Sequence, residues 1–74
     1  MLKSLMVDGV HYHNDGVRRE RADWAEIGLK ALSGPDTGKV VRNVTLPSRW
    51  LRYARPGDEI HTGGRTFRAI CPAD

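Results

Sequence analysis

The residues best suited to chemistry lie in a few short stretches. His11-Tyr12-His13-Asn14-Asp15 spells HxHxD, most of an HxHxDH motif whose imidazoles and carboxylate gather a hydrolytic metal centre. Gly16 stands where the closing histidine belongs, and 74 residues are too few to bring round the remaining ligands such hydrolases need. A plainer zinc site is open to the sequence, since histidines two apart on a strand point to one face and His61 with Cys71 would complete a tetrahedral set. Nothing in the spacing requires His11, His13, His61 and Cys71 to meet, so no metal or other cofactor is expected. Gly34-Pro35-Asp36-Thr37-Gly38-Lys39 approaches the phosphate loop GxxxxGK[ST]. Three residues separate its glycines instead of four, and Val40 replaces the magnesium-binding hydroxyl. Cys71 is the single cysteine and sits close to Asp74, without a scaffolded base to make it a nucleophile. No catalytic residue is assigned, and the chain is expected to be neither an enzyme nor a receptor for a small-molecule substrate.

The remaining chemistry is basic. The net charge is +3, but residues 1–36 hold five bases against six acids, and residues 37–74 hold seven bases against three acids. Nine of the twelve basic residues are arginine, whose planar fork suits bidentate contact with carboxylate or phosphate. Arg49, Arg52 and Arg55 would line one side of a short helix, with Arg42, Arg65 and Arg68 in the same half of the chain. The candidate binding set is therefore Arg42, Arg49, Trp50, Arg52, Tyr53, Arg55, Arg65 and Arg68. Its expected partner is a protein, a further copy of the chain included, and the alternative is a nucleic acid held by the same arginines. Trp50 and Tyr53 would stack on bases if they faced outward. With only five aromatics available for a core, both are expected to turn inward with Ala54.

The elements that must position these residues begin with a hairpin. Asp8-Gly9 between Leu5-Met6-Val7 and Val10-His11-Tyr12 is a strong two-residue turn signal. Asn14-Asp15-Gly16 then reads as a turn, with Asp15 capping a helix from about Arg18 to Ser33. Trp24, Ala25, Gly28, Ala31 and Leu32 recur at three- and four-residue steps. Gly34-Pro35 would stop that helix. A polar loop over 33–39 leads to an alternating strand over 40–46, and Ser48 is placed as the cap of a short helix through Ala54. Pro56-Gly57 fits a type II turn. Gly63-Gly64 closes a last hairpin that sets Ile60 opposite Phe67 inside and Glu59 opposite Arg68 outside.

The fold expected is α+β: one domain over residues 1–74, its main helix packed on a small, mostly antiparallel sheet or partly open barrel. A chain this short buries only about 60% of its extended surface, so an interface that completes the core is one way to make up the shortfall. A lone cysteine suits a reducing compartment. No signal peptide and no apolar run long enough to span a membrane is visible, so a cytoplasmic protein without membrane partners is expected.

Residues 44–70, VTLPSRWLRYARPGDEIHTGGRTFRAI, run strand, polar segment, basic residue before Gly57-Asp58, then a two-strand hairpin with an inward aromatic. This stretch resembles the tail attachment, or head-tail joining, proteins of tailed bacteriophages, at Arg55, Gly57, Asp58, Ile60, Gly64 and Phe67. The likeness covers roughly the last third of the chain. The chain is shorter than that family, and it has Cys71-Pro72-Ala73-Asp74 where those proteins place further strands. The resemblance implies a non-enzymatic virion assembly part working as a ring of copies between head and tail, found in the virion when phage-encoded. No functional residue carries over.

Overall fold

A computed structural model of the protein describes residues 1–72; Ala73 and Asp74, the end of the tail that departs from the phage proteins, lie outside the described residues. Six strands and a short helix follow one another: β1 (Ser4–Val7), β2 (Val10–Glu20), β3 (Trp24–Ala31), β4 (Val40–Pro47), α1 (Ser48–Tyr53), β5 (Glu59–Thr62) and β6 (Arg65–Cys71). The strands form one sheet in the order β4-β3-β2-β1-β6-β5. Every pairing is antiparallel, and the sheet curls into a half-barrel.

The expected α+β fold is therefore corrected. No helix runs from Arg18 to Ser33: strands occupy 58% of the described residues and helix 8%. Ala25, Ile27, Leu29 and Ala31, all buried, alternate as a strand face does. β3 pairs with β2 on one side and β4 on the other, so each inward side chain gains neighbours from two strands. A lone helix of the same composition has one stripe to bury. Gly34 and Pro35 consequently lie in the β3–β4 connection and end no helix.

The turns follow their residues. Asp8 and Gly9 have φ of 48° and 82°, and Gly63 and Gly64 have φ of 59° and 75°, the paired positive values of a type I′ hairpin. Glu59 faces Arg68 and Ile60 faces Phe67 across β5–β6. Arg55 and Asp58 are joined across Pro56-Gly57 by a backbone hydrogen bond of 3.0 Å from the Asp58 N–H.

Asp15 caps nothing; it belongs to a bulge in β2. Between the pairs Asn14–Leu29 and Val17–Ile27, Asp15 and Gly16 oppose Gly28 alone, and Arg18 is a second extra residue before Arg19 meets Glu26. Each insertion bends the strand and adds twist, which curls the sheet. Arg18 holds the first bulge in place. Its guanidinium donates to the Asp15 and Gly16 carbonyls at 3.0 and 3.3 Å and pairs with the Asp15 carboxylate at 2.9 Å. It lies so close over Gly28 that an added Cβ would collide with its Nη2. Gly28→Ala is expected to push Arg18 aside and cost about 1 kcal/mol in urea denaturation. In an Arg18→Ala background the same change should cost nothing, and an equal cost in both backgrounds would refute the contact.

The core gathers Leu5, Val7, Ile27, Leu29, Leu46 and Phe67 from the strands with Leu51 and Ala54 from α1 and its end. Six residues are too few to hold a helix by themselves. α1 packs on β3 and β4, and backbone bonds secure it: the Leu2 N–H donates to the Leu51 carbonyl, and the Ser48 N–H to the Asp23 carbonyl at 3.1 Å. Ser48 is not its cap. Pro47 takes that position without a side-chain bond, and the Ser48 hydroxyl donates instead to the Arg21 carbonyl at 3.1 Å.

Candidate interaction surface

α1 and the β2–β3 turn form one surface because Ser48 ties them together at both its N–H and its hydroxyl. The helix periodicity sends Leu51 inward and leaves Arg49, Arg52 and Tyr53 exposed; past the helix end, where the backbone is extended, Ala54 is buried and Arg55 exposed. Tyr53 departs from its expected inward position, and its residue is 74% exposed. Trp50 is half-buried, packed against the core with its indole N–H buried and without an acceptor among the described residues. The aromatic that turns outward is thus the one beside the arginines.

Arg52 reaches from α1 to the Glu20 carboxylate at the end of β2. Among the described residues Arg49 and Arg55 have no ion pair, although the Arg55 backbone N–H donates to the Asp58 carboxylate at 2.9 Å. The turn adds Arg21, whose guanidinium lies 5.8 Å from the centre of the Trp24 ring, a stacking geometry. Glu20, Arg21 and Trp24 are members of this surface that the sequence reading misses, because a helix over 18–33 sends them elsewhere. The run Arg18-Arg19-Glu20-Arg21 was the available signal: four successive charges have no buried face in either period.

The other three candidate arginines are not brought here. Arg42 points into the half-barrel opposite Leu29, with its guanidinium 5.7 Å from the Tyr12 ring and its Nε buried without a hydrogen-bond acceptor among the described residues. Arg65 sits at a hairpin tip, 3.6 Å from the Asp8 carboxylate. Arg68 lies opposite Glu59 on the far strand pair. The basic half of the sequence is therefore scattered by the fold, and Arg49, Arg52 and Arg55 are what remains together.

The four candidate metal ligands also divide, with His11 and His13 left together on β2. His11 and His13 stand on β2 against Met6 and Ser4. His61, on β5, shares a 3.0 Å hydrogen bond with the Thr66 hydroxyl, and Cys71 ends β6 exposed. Among the described residues no three His, Cys, Asp or Glu side chains gather as a metal site, and no helix is long and apolar enough to cross a membrane. Where the curled sheet leaves a gap between β4 and the β5–β6 tip, a groove is lined by Val44, Thr45, Thr62, Gly63, Arg65 and Phe67. Arg65 is the one titratable side chain in that lining, which offers no acid–base pair.

No family model, no characterised protein and no solved structure matches this chain.

Proposed function

We propose that this protein is a non-enzymatic interaction module that grips a protein partner through α1, with Tyr53 as the anchor and Arg49, Arg52 and Arg55 as its polar surround. The observation that carries the reading is the exposure of Tyr53. A chain with five aromatics keeps Tyr12 and Phe67 buried and Trp24 and Trp50 half-buried, yet leaves this ring in water. Tyrosine and arginine are the residues that most often dominate binding energy, since each buries area and makes a directed polar contact.

Nucleic acid is the weaker reading for a specific reason. A polyanion is held by a track of cations that neutralise successive phosphates, whereas here Arg18, Arg52 and Arg65 each meet a carboxylate and Arg42 points inward. The resemblance of residues 44–70 to head-tail joining proteins supplies a setting: a small assembly or host-interaction part, in the cytoplasm or the virion, whose exposed helix meets a neighbour.

The test is capture of partners from the native host by the wild-type protein and by Tyr53→Ala. A partner held by the wild type is expected to bind the variant about 30-fold more weakly, the cost of about 2 kcal/mol usual for an aromatic anchor. The melting temperature should be unchanged, because the ring supports nothing inside. Equal retention by both proteins rejects the surface. Tight binding to a mixed-sequence oligonucleotide that falls steeply with salt assigns the arginines to nucleic acid instead.

A further inference from the structure

We infer that the partner presents an acidic segment, and that Glu20 stands in for its carboxylate until the partner arrives. The inference rests on α1 being the binding surface and adds the partner's chemistry and the contact it displaces. The Glu20 carboxylate meets one guanidinium nitrogen of Arg52, and this is the single hydrogen bond of the Arg52 side chain among the described residues. A guanidinium carries five N–H donors in a fork that accepts a carboxylate two-handed, so most of Arg52's capacity is unused.

The pair belongs to the surface, not to the framework. The side chains of Arg52 and Glu20 are 50% and 41% exposed, and an ion pair this wet contributes little to folding. α1 is already secured without it, by the buried Leu51 side chain and the two Ser48 hydrogen bonds. What the pair does is hold the Arg52 fork at a fixed place on α1, where Arg49 stands one turn before it and Arg55, exposed as well, follows the helix end. A partner covering α1 and the residues just past its end therefore meets three guanidinium groups, and leaving them buried without counter-charge is unfavourable. Carboxylates on the partner satisfy Arg49 and Arg55 directly. For Arg52 they compete with Glu20, whose own charge repels them. Glu20 thereby selects for partners with several acidic groups: a single carboxylate gains too little to displace it.

Poly-L-glutamate is the probe, with binding followed by fluorescence anisotropy at low salt. Glu20→Gln is expected to bind it about fivefold more tightly than the wild type, because the Arg52 fork no longer has to be taken from a carboxylate. Its melting temperature should be unchanged, and Glu20→Ala should agree with it. Adding Arg52→Ala is expected to abolish the gain, since the competition then has no object. An unaltered affinity in Glu20→Gln overturns the inference, and so does a gain that survives Arg52→Ala, which would make it an effect of net charge alone. Absence of poly-L-glutamate binding by every variant also overturns it. Stronger binding of single-stranded DNA than of poly-L-glutamate overturns it in favour of nucleic acid. Capture of a host partner that depends on Tyr53 is read separately, so the surface stands or falls on its own experiment.

Discussion

Leu51→Ala is expected to lower the melting temperature by about 10–30 °C, the shift that 2–5 kcal/mol produces in a domain of this size. Leu51 is 1% exposed and belongs to the central cluster. It lies on a six-residue helix, which draws almost no stability from its own hydrogen bonds. Truncation therefore removes apolar contact, opens a cavity and releases α1 together. A protein of 74 residues has about 4–11 kcal/mol in total, so this one side chain is a large part of it. Leu51→Met, which keeps the volume, should cost less than about 1.5 kcal/mol. Thermal denaturation followed by circular dichroism measures both, and a shift of only a degree or two for the alanine variant would show that α1 is not part of the cooperative unit.

Asp8→Ala should be the most damaging substitution of an exposed residue, at about 2–3 kcal/mol. Asp8 turns between β1 and β2 at a φ of 48°, which aspartate and asparagine tolerate better than alanine. Its N–H donates to the Thr66 carbonyl, its Oδ1 accepts the Thr66 N–H, both at 3.0 Å, and its Oδ2 faces Arg65. One residue thus joins the first hairpin to the last. Asp8→Asn keeps the acceptor and the backbone tolerance and loses a wet ion pair, so it should cost under about 1 kcal/mol. Asp8→Gly relieves the backbone but drops the acceptor and should fall between the two. Urea denaturation gives the order, and amide exchange at Thr66 should be slow in the wild type and Asp8→Asn and fast in Asp8→Ala. Equal stability of the alanine and asparagine variants would remove the clamp from the account.

The last hairpin was legible because every position agreed. Gly63-Gly64 permits a type I′ turn, and its register puts Ile60 on Phe67 and Glu59 on Arg68. The Asp8-Gly9 turn was legible for the same local reason. Residues 18–33 were not, because Trp24, Ala25, Gly28, Ala31 and Leu32 satisfy the helical period while Ala25, Ile27, Leu29 and Ala31 satisfy the strand period. Alanine, leucine, lysine and glutamate tilt the local preference toward helix. Pairing on both flanks, by β2 and β4, decides for strand, and such long-range partners leave no mark within a short window. The candidate site divides along the same line. Arg49 and Arg52 stayed together because a local helix places them, with Arg55 just past its end, whereas Arg42, Arg65 and Arg68 were grouped only by sequence position. Glu20, Arg21 and Trp24 reach α1 through a turn that the helix reading had erased.

The strand order carries a consequence for how the protein is made. β1 is synthesised first yet lies inside the sheet, with β2 on one side and β6 on the other, Leu5 against Ala69 and Val7 against Phe67. On the ribosome a nascent chain can assemble β1 to β4 by successive hairpins, but its β1 edge stays bare until β6 has left the exit tunnel. Exposed edges are where growing chains meet one another. Completion of this fold is therefore a late step in translation, and slowing synthesis before Arg65 would lengthen the time that edge is open to other chains.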